Sequence, residues 1–131
     1  MRKWIAPALV PIWFSSGCGH ECPTWNYKIA GVVVSRVGTP LAEAAIRVSL
    51  DDRDETSVNG ATNGAGEYEA ELTYGSSETS CFHSCQGEAS HIAISVDRAG
   101  RSEQRVFDIS ELQSTWTDGQ KMIRLPPIAL R

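Results

Sequence analysis

The sequence predicts an all-β fold in which two sheets pack face to face as a sandwich. Apolar and polar residues alternate at a period of two in several short runs, as at Ile46, Val48 and Leu50. Such a period indicates strands with one buried face. Gly, Pro and Asn punctuate these runs, and no stretch beyond the N-terminal segment keeps a helical period. Because a single sheet of this size could not bury its apolar face alone, a second layer is required.

Residues 1–17 are expected to be a signal peptide that is not part of the fold. Arg2 and Lys3 precede a mostly apolar run over 4–14, and small residues follow up to Cys18. This is the pattern of an export signal. The run is shorter than the roughly 20 apolar residues that a membrane span needs, so export is favoured over a transmembrane anchor.

Residues 14–18, Phe-Ser-Ser-Gly-Cys, also resemble a bacterial lipobox. The resemblance implies that Cys18 is lipidated and becomes the first residue of the mature chain. Ser15 stands where the motif usually carries an aliphatic residue, and ordinary signal cleavage would use the same bond. We favour a lipoprotein of the bacterial outer membrane, with a periplasmic protein as the alternative.

Residues 18–27 are expected to form a linker, and 28–131 the sandwich domain. The clearest alternation places Tyr68, Ala70 and Leu72 on one strand face and three glutamates on the solvated face. Long polar loops are expected at 51–66, 76–90 and 110–119. Seven strands are predicted, at about 28–35, 45–51, 67–73, 91–97, 104–109, 121–125 and 128–130.

Three short motifs resemble the carboxypeptidase regulatory-like family. They are Ile29-Ala30-Gly31-Val32-Val33, the hairpin from Thr39-Pro40-Leu41 to Val48, and Thr62-Asn63-Gly64-Ala65-Gly66-Glu67-Tyr68. Glu43 departs from the pattern, which often has Gly there. The resemblance covers roughly residues 29–73 and implies a transthyretin-like (Ig-like) β-sandwich of seven strands. It also implies an accessory module and not a catalyst.

The charge balance limits the partners. The chain has 16 acidic and 12 basic residues, a formal net charge of −4. Nucleic acid is disfavoured, because phosphate neutralisation needs a Lys/Arg footprint. The expected partners are the membrane, through the lipid anchor, and a protein or carbohydrate that the sequence does not identify.

Two C-x-H-x-C segments are the most unusual local feature. They run from Cys18 to Cys22 and from Cys81 to Cys85, the second with His83 at its centre. Thiolates at this spacing could hold zinc, with Cys22, Cys81, His83 and Cys85 as ligands. In an exported protein disulfides are favoured. If Cys18 is lipidated, Cys22, Cys81 and Cys85 remain as disulfide candidates, with Cys81–Cys85 preferred.

Other candidate sites are weaker. The acidic run 51–55 could offer oxygens to Ca²⁺, although it lacks the spacing of an EF-hand loop. His91 opens a strand and stands in no nucleophile motif. The aromatics Trp25, Tyr74 and Trp116 lie at strand ends or in loops, where they would either stack on a ligand or cap the core. No cofactor is expected.

The sequence therefore predicts a non-catalytic exported module, not an enzyme. It would be a lipid-anchored envelope protein with a structural or binding role. The alternative is a metal-binding or thiol-redox exported protein that uses the two C-x-H-x-C segments.

Overall fold

The computed structural model describes residues 20–21, 23–75, 79–80 and 87–131. The described residues include two short 3-10 turns. Asp54–Thr56 follows the strand that ends at Leu50, and Ile109–Glu111 follows the strand that ends at Asp108. Within the described ranges, no helix is long and apolar enough to cross a membrane. The strands are β1 (His20–Glu21), β2 (Trp25–Ser35), β3 (Ala45–Leu50), β4 (Ser57–Ala61), β5 (Glu67–Tyr74), β6 (Thr79–Ser80), β7 (His91–Arg98), β8 (Arg101–Asp108), β9 (Ser114–Thr117), β10 (Gln120–Arg124) and β11 (Ile128–Leu130).

The chain divides into two compact units. One comprises residues 1–24 and 75–87, and the other comprises 25–74 and 88–131. In the first unit β1 pairs antiparallel with β6. The second unit is a sandwich of two sheets. This confirms the prediction of an all-β, two-layer fold.

The five-strand sheet of the sandwich is built around β2. On one side β2 pairs antiparallel with β5, and on the other it pairs in parallel first with β10 and then with β11. Pro126 and Pro127 separate these last two strands, because proline has no N–H to donate to a ladder. β9 extends the sheet beyond β10, and the four-strand sheet has the order β4, β3, β7, β8.

The inward faces of the two sheets supply one apolar core. β3, β5 and β7 alternate buried and exposed residues, which is the period of two that predicted them. Burying one large aliphatic side chain contributes about 1.5–3 kcal/mol. The largest fully buried side chains are those of Tyr27, Ile29, Val33, Val48, Leu50, Ile92, Ile94, Val96 and Ile128.

The sandwich has nine strands instead of the predicted seven. The two that the prediction missed are β4 and β9, both at the edge of a sheet. β4 reads Ser-Val-Asn-Gly-Ala, and β9 has one intermediate residue followed by three exposed ones. Neither strand has a continuous apolar face, so its sequence shows no alternation of apolar and polar residues. Pairing places β4 beside β3 and β9 beside β10.

Residues of the motifs noted above hold the loops of this sandwich together. The Thr62 hydroxyl donates to the Leu41 carbonyl at 2.6 Å and accepts the Ala44 N–H at 2.9 Å. Gly66 has a φ of +73°, and a Cβ there would lie 2.6 Å from the Val33 carbonyl oxygen. Only glycine fits that position. These motif residues therefore serve strand connection and packing.

Gly31, at the middle of β2, provides space for an aromatic ring. Tyr68 is its cross-strand partner on β5, and a Cβ on Gly31 would lie 2.3 Å from the Tyr68 hydroxyl oxygen and 2.6 Å from its Cζ. The Tyr68 hydroxyl is buried and has no hydrogen-bond partner among the described residues. Burial also raises the pKa of Tyr68, so the phenol stays neutral and contributes through ring packing.

We predict that Gly31→Ala destabilises the sandwich by about 1–3 kcal/mol, because the added methyl group overlaps the Tyr68 ring and forces β2 and β5 apart. Urea unfolding measures the loss. Gly60→Ala is the control, since a Cβ at Gly60 meets no atom within 4 Å and should change the free energy of unfolding by less than about 0.5 kcal/mol. Equal effects of the two substitutions would contradict this packing.

Candidate functional site

One end of the sandwich carries a cluster of polar side chains around Asp51. Asp51 follows β3 in a turn where it and Asp52 have φ values of +50° and +55°. Its Oδ1 accepts the backbone N–H groups of Ser90 at 2.9 Å and His91 at 2.7 Å. Its Oδ2 accepts the Tyr74 hydroxyl at 2.7 Å. We call Asp51, Tyr74, Ser90 and His91 the Asp51 cluster.

The Asp51 cluster ties the ends of three strands together. Asp51 lies just after β3, Tyr74 is the last residue of β5, and His91 is the first residue of β7. The Asp51 backbone N–H also donates to the His91 carbonyl at 3.0 Å. One carboxylate therefore fixes the position of a histidine that stands 40 residues away in the chain.

The electrostatics of the cluster keep Asp51 ionised. Partial burial acts to raise its pKa, but the hydrogen bonds from Tyr74, His91 and Ser90, together with the charge of His91, outweigh that effect and lower it. The pKa of Tyr74 is raised, first by burial and then by its hydrogen bond to Asp51 and the negative charge there. At neutral pH the pair is thus a carboxylate and a neutral phenol donor.

His91 is a solvent-exposed member of the cluster. Its side chain is 54% exposed, and its Nδ1 lies 3.6 Å from Asp51 Oδ1. The two groups form an ion pair only when the imidazole carries a proton. An exposed imidazole can exchange a proton with a molecule that reaches it from solvent.

The side chains of Trp25, Tyr27 and Trp116 lie together at the same end of the sandwich, and we call them the aromatic group. The Tyr27 hydroxyl accepts the Ala89 N–H at 2.9 Å, and burial is the main cause of the raised pKa of Tyr27. The Trp116 ring lies 6.4 Å from the Tyr27 ring and 6.0 Å from the Trp25 ring. Trp116 is 47% exposed, so part of its side chain is accessible to a ligand.

Lys121 brings a positive charge to this aromatic group. Its Nζ lies 5.7 Å from the centre of the Trp116 ring and 3.2 Å from Glu88 Oε1. Lys121 is also the cross-strand partner of Trp116. A cation over an aromatic face is an attractive pairing, and it holds the lysine beside the exposed ring.

The structure brings the three predicted aromatic binding residues to one end of the sandwich. Trp25 packs partly buried against the core, Tyr74 is buried, and Trp116 is exposed. Their role as binding residues stays a prediction. His91 opens β7, as the sequence indicated, but its connection to Asp51 was missed, because no local pattern links two positions so far apart in the chain.

All four cysteines and His83 lie outside the described residues. Lipidation of Cys18, disulfides among Cys22, Cys81 and Cys85, a zinc site there, and export therefore stay predictions. Among the residues that the structure describes, no group of three or more His, Cys, Asp or Glu side chains is placed to hold a metal ion. Asp51 and His91 supply two such side chains, and both Asp51 oxygens already accept hydrogen bonds.

No family model and no curated protein matches the chain. Several solved structures share its fold. Chlorocatechol 1,2-dioxygenase from Pseudomonas putida matches with a TM-score of 0.56 and 17% identity, over 81% of this chain and 61% of that one. Catechol 1,2-dioxygenase from Acinetobacter radioresistens matches with a TM-score of 0.53 and 13% identity, over 82% of this chain and 53% of that one.

A third match is the dioxygenase domain of a dioxygenase carbohydrate-binding protein fusion from a cellulolytic Streptomyces. Its TM-score is 0.55 at 9% identity, over 83% of this chain and 82% of that one. The chain spans about three-fifths of the length of the chlorocatechol dioxygenase. At these identities the matches establish a shared β-sandwich fold.

These matches correct the prediction of function. The expected membership in the carboxypeptidase regulatory-like family is not confirmed. The predictions of a non-catalytic module and of a chain that is not an enzyme rested on the absence of a catalytic motif and on the family resemblance. They are contradicted, since the solved structures that share the fold are dioxygenases. The sandwich matches those of dioxygenase structures, which do not support the transthyretin-like assignment.

We predict that Tyr74→Phe destabilises the protein by about 1.5–3 kcal/mol, because it removes a hydrogen bond to a charged carboxylate. Tyr68→Phe is the matched control, since its hydroxyl has no partner among the described residues and its removal should be neutral or stabilising. Thermal and urea unfolding measure both variants. A larger loss for Tyr68→Phe than for Tyr74→Phe would contradict the assigned roles.

The lowered pKa of Asp51 predicts a specific loss of stability in acid. The folded state binds the proton less readily than the unfolded chain, where the ordinary value is 3.8. The contribution is therefore complete above that value and is lost as the pH falls through the folded pKa. In Asp51→Asn this part of the pH dependence should disappear. Parallel curves of unfolding free energy between pH 7 and pH 2 for the two proteins would refute it.

Proposed function

We propose that the chain is a catalytic dioxygenase-type domain that acts on a hydroxylated aromatic compound at the Asp51 cluster. The fold that it shares with catechol and chlorocatechol 1,2-dioxygenases supports the class of substrate. The observation that carries the proposal is the exposed imidazole of His91 beside the ionised carboxylate of Asp51.

In this proposal His91 accepts a proton from a substrate hydroxyl group. The Asp51 carboxylate lies 3.6 Å from the His91 Nδ1 that would carry this proton. Two backbone N–H groups and the Tyr74 hydroxyl hold the carboxylate in place. Asp51 and Tyr74 are thus positioning residues, and His91 is the residue that would touch the substrate.

The aromatic group supports binding of a flat substrate. The segment from Ala89 to His91 connects the two parts, since Ala89 contacts Tyr27 and His91 contacts Asp51. The exposed face of Trp116 would stack on a substrate ring. Lys121 lies next to the Trp116 ring, and its charge is paired with Glu88.

Oxygen insertion needs an oxygen-activating metal or cofactor. The described residues do not form a metal site, and their part in the reaction is substrate binding and proton transfer.

Binding and turnover of catechol and 3-chlorocatechol test the proposal, with and without added iron salts. Tryptophan fluorescence reports binding, and an oxygen electrode reports turnover. We expect the wild type to bind both compounds, Trp116→Ala to bind them more weakly, and His91→Ala to lower kcat by about 10²–10⁴-fold while it still binds.

The control for this experiment is Asn59→Ala, which alters an exposed residue of β4 away from the cluster. It should match the wild type in both assays. Failure of the wild type to bind either compound would overturn the proposal. Equal turnover by His91→Ala and the wild type would remove the role given to His91.

A further inference from the structure

The end of the sandwich opposite the Asp51 cluster carries a depression of about 450 Å³. β2 runs from Trp25 at the Asp51 end to Ser35 at this one, and β7 runs likewise from His91 to Arg98. The 11 residues of β2 span about 35 Å. The depression is lined by Ser35, Arg36, Val37, Leu41, Arg98, Ala99, Arg101 and Leu130.

Three arginines line this depression. Arg36, Arg98 and Arg101 contribute to its wall, and no Asp or Glu does. Within the part of the chain that the structure describes, none of the three takes part in an ion pair. This concentration of positive charge stands out in a chain with a net charge of −4. We call the depression the arginine groove.

The hairpin that carries two of these arginines places two like charges opposite each other. Arg98 and Arg101 are directly opposite each other across β7 and β8, where like charges repel. The turn between them, Ala99–Gly100, has φ values of +52° and +80°, and the left-handed region is unfavourable for alanine. A negatively charged group between the two guanidinium groups would relieve the repulsion.

One of the guanidinium groups is held in position for such a ligand. Arg98 Nε donates to the Ala42 carbonyl at 2.8 Å. This bond restrains the plane of the guanidinium group and leaves its terminal N–H groups for a second acceptor. Arginine forks match the geometry of carboxylate and phosphate oxygens.

Apart from Ser35, the rest of the lining is apolar. Leu41 and Leu130 contribute to it, and Val37 is 86% exposed at its rim. The volume lies within the range of small-molecule sites, roughly 300–1,000 Å³. We propose that the arginine groove binds an amphipathic oxyanion, a phosphate or carboxylate group attached to a short alkyl chain.

Titration of the full chain with hexyl phosphate and hexanoate tests this proposal, by calorimetry and by amide chemical shifts. Inorganic phosphate and hexanol separate the contributions of the charge and of the alkyl chain. We expect hexyl phosphate to bind more tightly than either, to shift the amides of Arg36, Ala99 and Gly100, and to bind more weakly as salt is added.

Arg101→Gln should weaken binding by roughly tenfold or more without loss of stability, because it also removes the like-charge pair. Arg98→Gln should weaken binding similarly. Arg124→Gln, at an exposed arginine on β10 outside the groove, is the control and should bind like the wild type. The His91→Ala variant should also bind normally, so this proposal can fail or stand independently of the proposed function.

Vesicles with anionic or zwitterionic headgroups distinguish a free ligand from a lipid. Binding to anionic vesicles that Arg101→Gln abolishes would support the same oxyanion chemistry with a lipid as its source. Equal affinity for hexanol and hexyl phosphate, or unchanged binding by both arginine variants, would overturn the proposal.

Discussion

The pairing of β2 on both of its edges is the constraint on which the rest of the sandwich depends. β5 covers one edge, and β10 and β11 cover the other. The inward side chains of β2 include Tyr27, Ile29 and Val33, all fully buried. Gly31 interrupts that row so that the Tyr68 ring can cross β2. The close approach of β5 to β2 thus depends on a missing side chain as much as on those present.

Asp51 is a second point on which several strands depend, at one end of the sandwich. Its carboxylate joins the turn after β3 to the last residue of β5 and the first of β7. The same hydrogen bonds that stabilise the fold also keep the carboxylate ionised beside the exposed His91. Asp51 therefore has both a structural and a chemical role. This sharing explains why variants of His91, and not of Asp51, are the informative ones for activity.

The sequence allowed prediction of the layered fold but not of its full strand set. Alternation in β3, β5 and β7 carries a direct signal, because one face of each strand is buried. β4 and β9 are edge strands with mostly exposed residues, so pairing alone defines them. The contacts of Asp51 also left no local trace, since its partners are contributed by distant strands.

The error in function has a physical cause as well. The motifs at Thr62, Gly66 and Tyr68 serve strand connection and ring packing, and such requirements recur among unrelated sandwiches. They therefore indicate an architecture without confirming a family, and function does not follow from architecture alone. The residues that matter for the proposed chemistry, Asp51 and His91, lie outside those motifs.

Amide hydrogen exchange tests the central role of β2 most directly. Strands that open only when the whole domain unfolds exchange most slowly. The account predicts that the β2 amides bonded to β5 and β10 exchange at the rate set by global unfolding, while those of the edge strands β4 and β9 exchange much faster through local opening. Exchange of the β2 amides as fast as that of the β9 amides would contradict it.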